Sequence, residues 1–261
     1  MNSIVSKNAG GTRYEILSTL LSLHGFDSIE SFQNHAGLLS DGLYGMKTHE
    51  KLYSHILDVD HVEFAGHYYM QEFPKKQIVL HHSAGRDNSR SMFDYWKNDG
   101  VYHVATSIGI NDDGKVVKGY DERHWGHHIG MQNIYNLARN RESVAVEICN
   151  WGALNDDMVS WAGVRVPEDK VIELNYKNIK YFEKYTQKEI DSLELWIVIN
   201  AIRFDIPLDY NENDMWKVSQ NAIAGTPGIY THNSYISWKS DISPQPNMIN
   251  MLSGLKDKYL S

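Results

Sequence analysis

The sequence predicts an α/β fold, with a mixed central β-sheet flanked by helices and a small three-helix unit in front of it. Three observations carry this. Residues 77–82 and 143–149 are short, β-branched-rich runs of strand length. Residues 186–203 hold the strongest helical pattern of the chain, with Thr186 as N-cap, Glu189 completing a capping box, and Ile190, Leu193, Trp196, Ile197 and Ile202 as a buried stripe. Between these lies a hairpin signal, Asn111-Asp112-Asp113-Gly114, which makes the sheet mixed rather than purely parallel.

Taken in order, residues 13–24 repeat apolar side chains at helical spacing and end at Gly25, a C-terminal stop. Ser28 caps a second short helix that carries Ile29 and Phe32. Asp41-Gly42 and Gly45 mark turns, and residues 48–57 form a third helix with Leu52, Tyr53, Ile56 and Leu57 on its apolar face. Residues 1–60 are therefore expected as a helical domain, 61–74 as a linker ending at Pro74, and 75–261 as the larger domain. In the larger domain, residues 89–97 are expected as a helix with Met92, Phe93 and Trp96 on one side. Residues 101–110 and 115–120 are expected as strands on either side of the hairpin turn.

With 261 residues, 42% hydrophobic and 22% charged, the chain has the composition of an ordinary globular protein. A net charge of −8 without any Lys/Arg cluster argues against nucleic acid and against an anionic membrane surface. The one cysteine, Cys149, cannot form an internal disulfide and is expected as a small buried apolar residue. The first ten residues carry no apolar leader and no stretch is long enough to span a bilayer, so synthesis in the cytoplasm without a signal peptide is expected.

The chemistry concentrates in the run Thr231-His232-Asn233-Ser234-Tyr235-Ile236-Ser237-Trp238-Lys239-Ser240-Asp241 and in the His81-His82 pair closing an apolar strand. Imidazole and carboxylate are good zinc ligands, and three protein ligands plus an open position make a catalytic site. A lysine two residues from the carboxylate puts a cation where an oxyanion can form. This combination points to metal-assisted amide hydrolysis. His81 and His82 alternate faces along a strand, so they cannot both serve it. Glu147 alternates with apolar Val146 and Ile148 and points away from their face, a costly place for a carboxylate without a task. A zinc peptidase would need its own spacing, such as His-Glu-x-x-His, which the chain lacks.

Phe32-Gln33, Gly37-Leu38, Asp41-Gly42, Gly45, Lys47-Thr48 and Leu52 resemble the second half of the peptidoglycan-binding repeat of cell-wall enzymes. Five ordered elements in the larger domain resemble the zinc-dependent N-acetylmuramoyl-L-alanine amidases, the family of amidase-type phage lysozymes, bacterial recycling amidases and peptidoglycan recognition proteins. These are Val79-Leu80-His81-His82-Ser83-Ala84; Tyr102-His103 with the hairpin after it; Trp125-Gly126-His127-His128-Ile129-Gly130; Val144-Ala145-Val146-Glu147-Ile148; and His232 to Asp241. Ser240-Asp241-Ile242-Ser243-Pro244 departs from the commoner Asp-Pro-Gly or Cys-Pro-Gly ending. The resemblance implies one zinc ion held by His81, His232 and Asp241, with His82 turned elsewhere. It implies Glu147 as general base, with Tyr102 the competing candidate or a positioning group. Lys239 would steady the oxyanion, and His128 would line the substrate cleft, with His127 as the alternative register. The implied substrate is peptidoglycan, cut between N-acetylmuramic acid and L-alanine. A phage endolysin, reaching the wall by a holin-type route, is the leading expectation. A cytoplasmic muropeptide-recycling amidase and a non-catalytic recognition module are the alternatives.

Overall fold

The computed structural model describes residues 5–6, 10–85, 88–98 and 103–260. In chain order its elements begin with strand Val5–Ser6 (β1), helices Thr12–Leu23 (α1) and Ile29–His35 (α2), strand Leu43–Tyr44 (β2) and helix Met46–Ile56 (α3). Strands Val59–His61 (β3) and Gln77–His82 (β4), helix Ser89–Asn98 (α4), strands Ile108–Ile110 (β5) and Val116–Lys118 (β6), helix Asn136–Arg141 (α5) and strand Ser143–Ile148 (β7) follow. The chain continues through Ala153–Leu154 (β8), Val171–Tyr176 (β9), Ile179–Glu183 (β10), Gln187–Phe204 (α6), Glu212–Met215 (α7), Gln220–Ala224 (α8), Gly228–Thr231 (β11) and Pro246–Tyr259 (α9).

Six strands form the central sheet in the order β11-β4-β7-β5-β6-β3. All neighbours are parallel except β5 and β6, the hairpin pair closed by Asn111 N–H donating to Lys115 O. Even-numbered residues of β4 and β7 (Ile78, Leu80, Val144, Val146, Ile148) pack with α6 and α9. The odd-numbered Val79 and Ala145 belong to a second cluster with Ile129, Tyr230 and Tyr235 on the opposite face. This alternation is the strand period of two. Helix α6 follows its sequence signals: Thr186 accepts from Glu189 N–H, and the Glu189 side chain accepts from Thr186 N–H.

The strand expected over residues 101–110 is shorter. Residues 101 and 102 lie outside the described residues, and regular pairing begins only at Ile108. Before it, the Thr106 hydroxyl donates to Ile108 O, and Ser107 donates to Ala145 O through both its N–H and its hydroxyl.

Helices α1 to α3 lie where helices were expected, and Ser28 caps α2 in a reciprocal pair with Ser31. Their apolar residues belong to the same cluster as Trp196, Ile197 and Leu252 of the larger part, so the core runs across the expected boundary. Fully burying Leu17 and Leu20 contributes roughly 1.5–3 kcal/mol each. Arg13 of α1 donates to Ile202 O, at the C-terminal end of α6. Tyr53 of α3 donates to the buried Glu122 carboxylate, which also meets Lys118 at 2.6 Å and Arg203 at 3.3 Å. The segment expected as a linker is packed too: Phe64 is buried against Phe93, and Tyr69 stacks on Trp125.

Candidate metal centre and cleft

The parallel register brings the candidate site residues together. His81 of β4 lies opposite Glu147 of β7, and Thr231 of β11 lies opposite Leu80, so His232 leaves its strand beside His81. All three stand at the carboxyl ends of parallel strands, where open α/β sheets place their sites. The loop that follows His232 returns Asp241 to the same point. His81 Nδ1, His232 Nδ1 and Asp241 Oδ2 lie 3.1, 3.2 and 2.9 Å from one another. Among the described residues this is the one three-residue group spaced to hold a metal ion, and all three members are buried.

Hydrogen bonds behind the cluster orient both rings, turning Nε2 away and Nδ1 toward the cluster. His232 Nε2 faces Ile129 O at 2.7 Å, so Nε2 donates there and Nδ1 is turned toward the cluster. The Ser143 hydroxyl donates to Arg139 O at 2.6 Å and accepts from His128 Nε2 at 2.8 Å. His128 Nδ1 is then an acceptor for His81 Nε2–H at 3.1 Å, which leaves the His81 Nδ1 lone pair facing the cluster. Burial, with the His232 ring beside it, holds His81 down at about 4 despite Asp241 nearby. Burial pushes Asp241 up, but the His232 and His81 rings outweigh it and keep this carboxyl well below the usual range.

Two imidazole nitrogens and a carboxylate oxygen thus converge on one point, within 3.2 Å of one another. A tetrahedral zinc with bonds of about 2.0–2.1 Å spaces its ligand atoms about 3.3 Å apart, close to the separations here. The donor set therefore fits the ion that the sequence implies.

Glu147 is half-buried on the same face, with Oε2 enclosed and unpartnered among the described residues. Burial and the nearby Asp241 charge raise its carboxyl well above the ordinary value, with Lys239 partly opposing them. Lys239 lines the cleft, its ammonium 5.0 Å from the Trp238 ring. His128 also borders the cleft, but its ring nitrogens are committed to His81 and Ser143. His127, the alternative register, lies against Tyr69 and Trp125. His82 turns to the other face, where its Nδ1 meets the Tyr185 hydroxyl at 2.9 Å. Tyr102 lies outside the described residues. Cys149 is buried, with Sγ 3.1 Å from the Ser89 hydroxyl.

The cleft has a volume of about 320 Å³. A larger cavity of about 490 Å³ lies beside α3, lined by Lys47, Glu50, Lys118, Asp121 and Arg203. Arg203, Asp121 and Lys118 are already spent on ion pairs there, so the smaller cleft is where chemistry is available.

Three contributors escape sequence reasoning. Asn140 is fully buried, and its Oδ1 accepts from the backbone N–H of His128 and Ile129, fixing the segment that touches both candidate histidines. Ser143 orients His128. Lys177, at the turn between β9 and β10, donates to Asn233 Oδ1, Ser237 O and Lys239 O, and so fastens the loop between His232 and Asp241. A polar Asn140 within an otherwise unremarkable helix was the only signal available for any of them.

A cluster of two imidazoles and one carboxylate at parallel strand ends, beside a desolvated glutamate, defines a hydrolytic α/β enzyme. The chain belongs to the N-acetylmuramoyl-L-alanine amidase family, whose sequence pattern matches residues 71–246. It is a peptidoglycan amidase, cleaving between N-acetylmuramic acid and L-alanine. No curated protein matches the chain. Similar solved structures include PlyL (15% identity, 76% of this chain and 96% of that one, TM-score 0.46). The N-acetylmuramoyl-L-alanine amidase LysC from Clostridium intestinale URNW is similar at 13% identity, over 77% of this chain and 95% of that one, with TM-score 0.45. The PlyG catalytic domain is similar at 16% identity, over 78% and 97%, with TM-score 0.47. Among the described residues no helix is long and apolar enough to cross a membrane.

Proposed function

We propose that this amidase works with one zinc ion held by His81, His232 and Asp241, and that Glu147 and Lys239 carry the remaining chemistry. The observation that carries the proposal is the convergence of two imidazole nitrogens and one carboxylate oxygen within 3.2 Å. A bound zinc ion would supply Lewis acidity, polarising the scissile carbonyl and lowering the pKa of water toward neutrality. Glu147, whose carboxyl is raised above the ordinary value by burial and faces the cluster, takes a proton from the attacking water. The water oxygen bonds to the lactyl carbonyl carbon, and the Lys239 ammonium offers a donor to the oxyanion. The C–N bond then breaks, and Glu147 returns its proton to the leaving nitrogen of L-alanine. The products are a carboxylate on the muramic acid lactyl group and an intact stem peptide with a free amino terminus. Tyr102 is kept as a positioning group, and His128 acts by orienting His81 rather than by touching substrate.

Within the family we read the chain as an endolysin acting on wall polymer, released by a holin-type route. The helical unit ahead of the amidase region supports this, since enzymes of soluble wall fragments have no need of one.

The test pairs metal content with cleavage of purified sacculi, for wild type and His232→Ala, with products read by mass spectrometry. One zinc per chain and release of intact stem peptides, both lost in the variant, is the expected result. Shortened stems would indicate a peptidase. Binding without any release would indicate a recognition module.

A further inference from the structure

Two tryptophans stand in water at the border of the cleft. Trp238 lines it and is 76% exposed; Trp161 is 77% exposed. Large apolar rings left in solvent call for an explanation when they gather at a site. Neither ring hangs on a loose loop. Trp161 occupies a tight turn in the β8–β9 insertion, where Gly163 N–H donates to Ser160 O and Ser160 N–H to Val164 O. Its indole N–H donates to Ala84 O, and Ala84 itself lines the cleft. Trp238 sits in the turn closed by Lys239 N–H donating to Ile236 O. Lys177 holds that turn from outside, through Ser237 O and Lys239 O. The insertion thus reaches the cleft at two places: Trp161 meets the segment after His81, and Lys177 meets the loop before Asp241.

We propose that Trp161 and Trp238 are sugar-stacking walls, which bind pyranose rings of the glycan strand as it passes the candidate metal centre. The inference rests on the amidase reading, which brings a muramic acid residue to this cleft. With its N–H bound to Ala84 O, the Trp161 side chain offers a ligand only a flat face. A pyranose ring presents a matching flat face of C–H groups, whereas an extended stem peptide does not. Holding each ring in a hydrogen-bonded turn lowers the ordering cost of binding. The walls make the enzyme specific for muramoyl peptides that remain on a glycan, over free peptides bearing the same amide.

The experiment titrates peptide-free glycan strands, which the enzyme cannot cleave, into wild type, Trp161→Ala and Trp238→Ala by calorimetry. KM on sacculi is measured in parallel. Loss of one stacking face is expected to raise Kd for glycan and KM for sacculi by about tenfold in each alanine variant. Trp161→Tyr and Trp238→Tyr, which restore a ring, should stay within about threefold of wild type. The proposal is overturned if both alanine variants bind within twofold of wild type, or if wild type does not bind the glycan. If glycan binding depends on the tryptophans but wild type releases no stem peptides, stacking is supported and the hydrolytic reading alone fails.

Discussion

Lys177→Met should weaken metal binding without touching any candidate ligand. Asn233 is fully buried; its Oδ1 accepts from Lys177 at 2.6 Å and its amide donates to Ile242 O at 2.8 Å, bridging both ends of the His232–Asp241 loop. Removing the ammonium leaves Asn233 Oδ1 without that donor, at a cost of about 1–3 kcal/mol for a buried polar atom. Ser237 O and Lys239 O lie at a more open rim and regain water, so they add little. The net loss of loop order is about 2 kcal/mol. Because a site formed only part of the time binds in proportion to that fraction, zinc affinity should fall by up to about 30-fold. Competition against a colorimetric chelator, with Lys177→Arg as the conservative control, reads this directly. Zinc affinity within twofold of wild type, accompanied by a lower melting temperature, would refute the reasoning and reduce Lys177 to a fastening of the fold.

Other substitutions separate the roles. Glu147→Gln should lower kcat by about 10²–10⁴ while zinc stoichiometry stays at one, measured by metal analysis alongside peptide release. His128→Phe removes the acceptor for His81 Nε2–H and should reduce zinc affinity by about 10–100-fold, with chelator competition again the readout. Glu189 gives a test in stability: burial raises its carboxyl to about 8. Between the ordinary glutamate value and about 8, the folded state holds a proton that the unfolded state has lost, so stability falls as pH rises through that window. Glu189→Gln keeps an acceptor for the Thr186 N–H and should remove this fall, gaining a few kcal/mol at pH 8 and almost nothing at pH 4. Melting curves of both proteins across pH would show parallel slopes if the argument is wrong.

The parts of the site carried by strands were legible, because a strand fixes direction. Alternation alone turned His81 and His82 to opposite faces and set Glu147 apart from Val146 and Ile148. Family resemblance chose His81 of the pair, and the structure sets its Nδ1 beside His232 and Asp241. His128 was legible as a residue near the cleft but not in its contact: only three-dimensional packing shows its ring between His81 and Ser143. The insertion was not legible at all. Residues 153–183 fold as a separate antiparallel sheet in the order β8-β10-β9, with positive φ at Asn175, Lys177 and Asn178 through the turn. Lysine carries no local signal for such a backbone, and its three acceptors lie 56 to 62 residues away. The continuity of the core from helices to sheet was hidden for a similar reason, since an apolar helical face does not say which neighbour it meets.

The fusion of α1–α3 to α6 and α9 has a mechanical consequence. Enzymes that hold an insoluble polymer through a separate module usually hang from a flexible tether, whose length sets the area they can search. Among the described residues no tether separates α1–α3 from the sheet: Arg13 grips the end of α6 and Tyr53 reaches the carboxylate of Glu122. Any grip that the three helices exert on the wall would fix the cleft at one offset and one orientation. Such an enzyme works as a caliper and not as a dog on a leash, and once the bonds at that offset are cut it must let go to advance. Tightening the grip would then slow the clearing of a wall instead of speeding it.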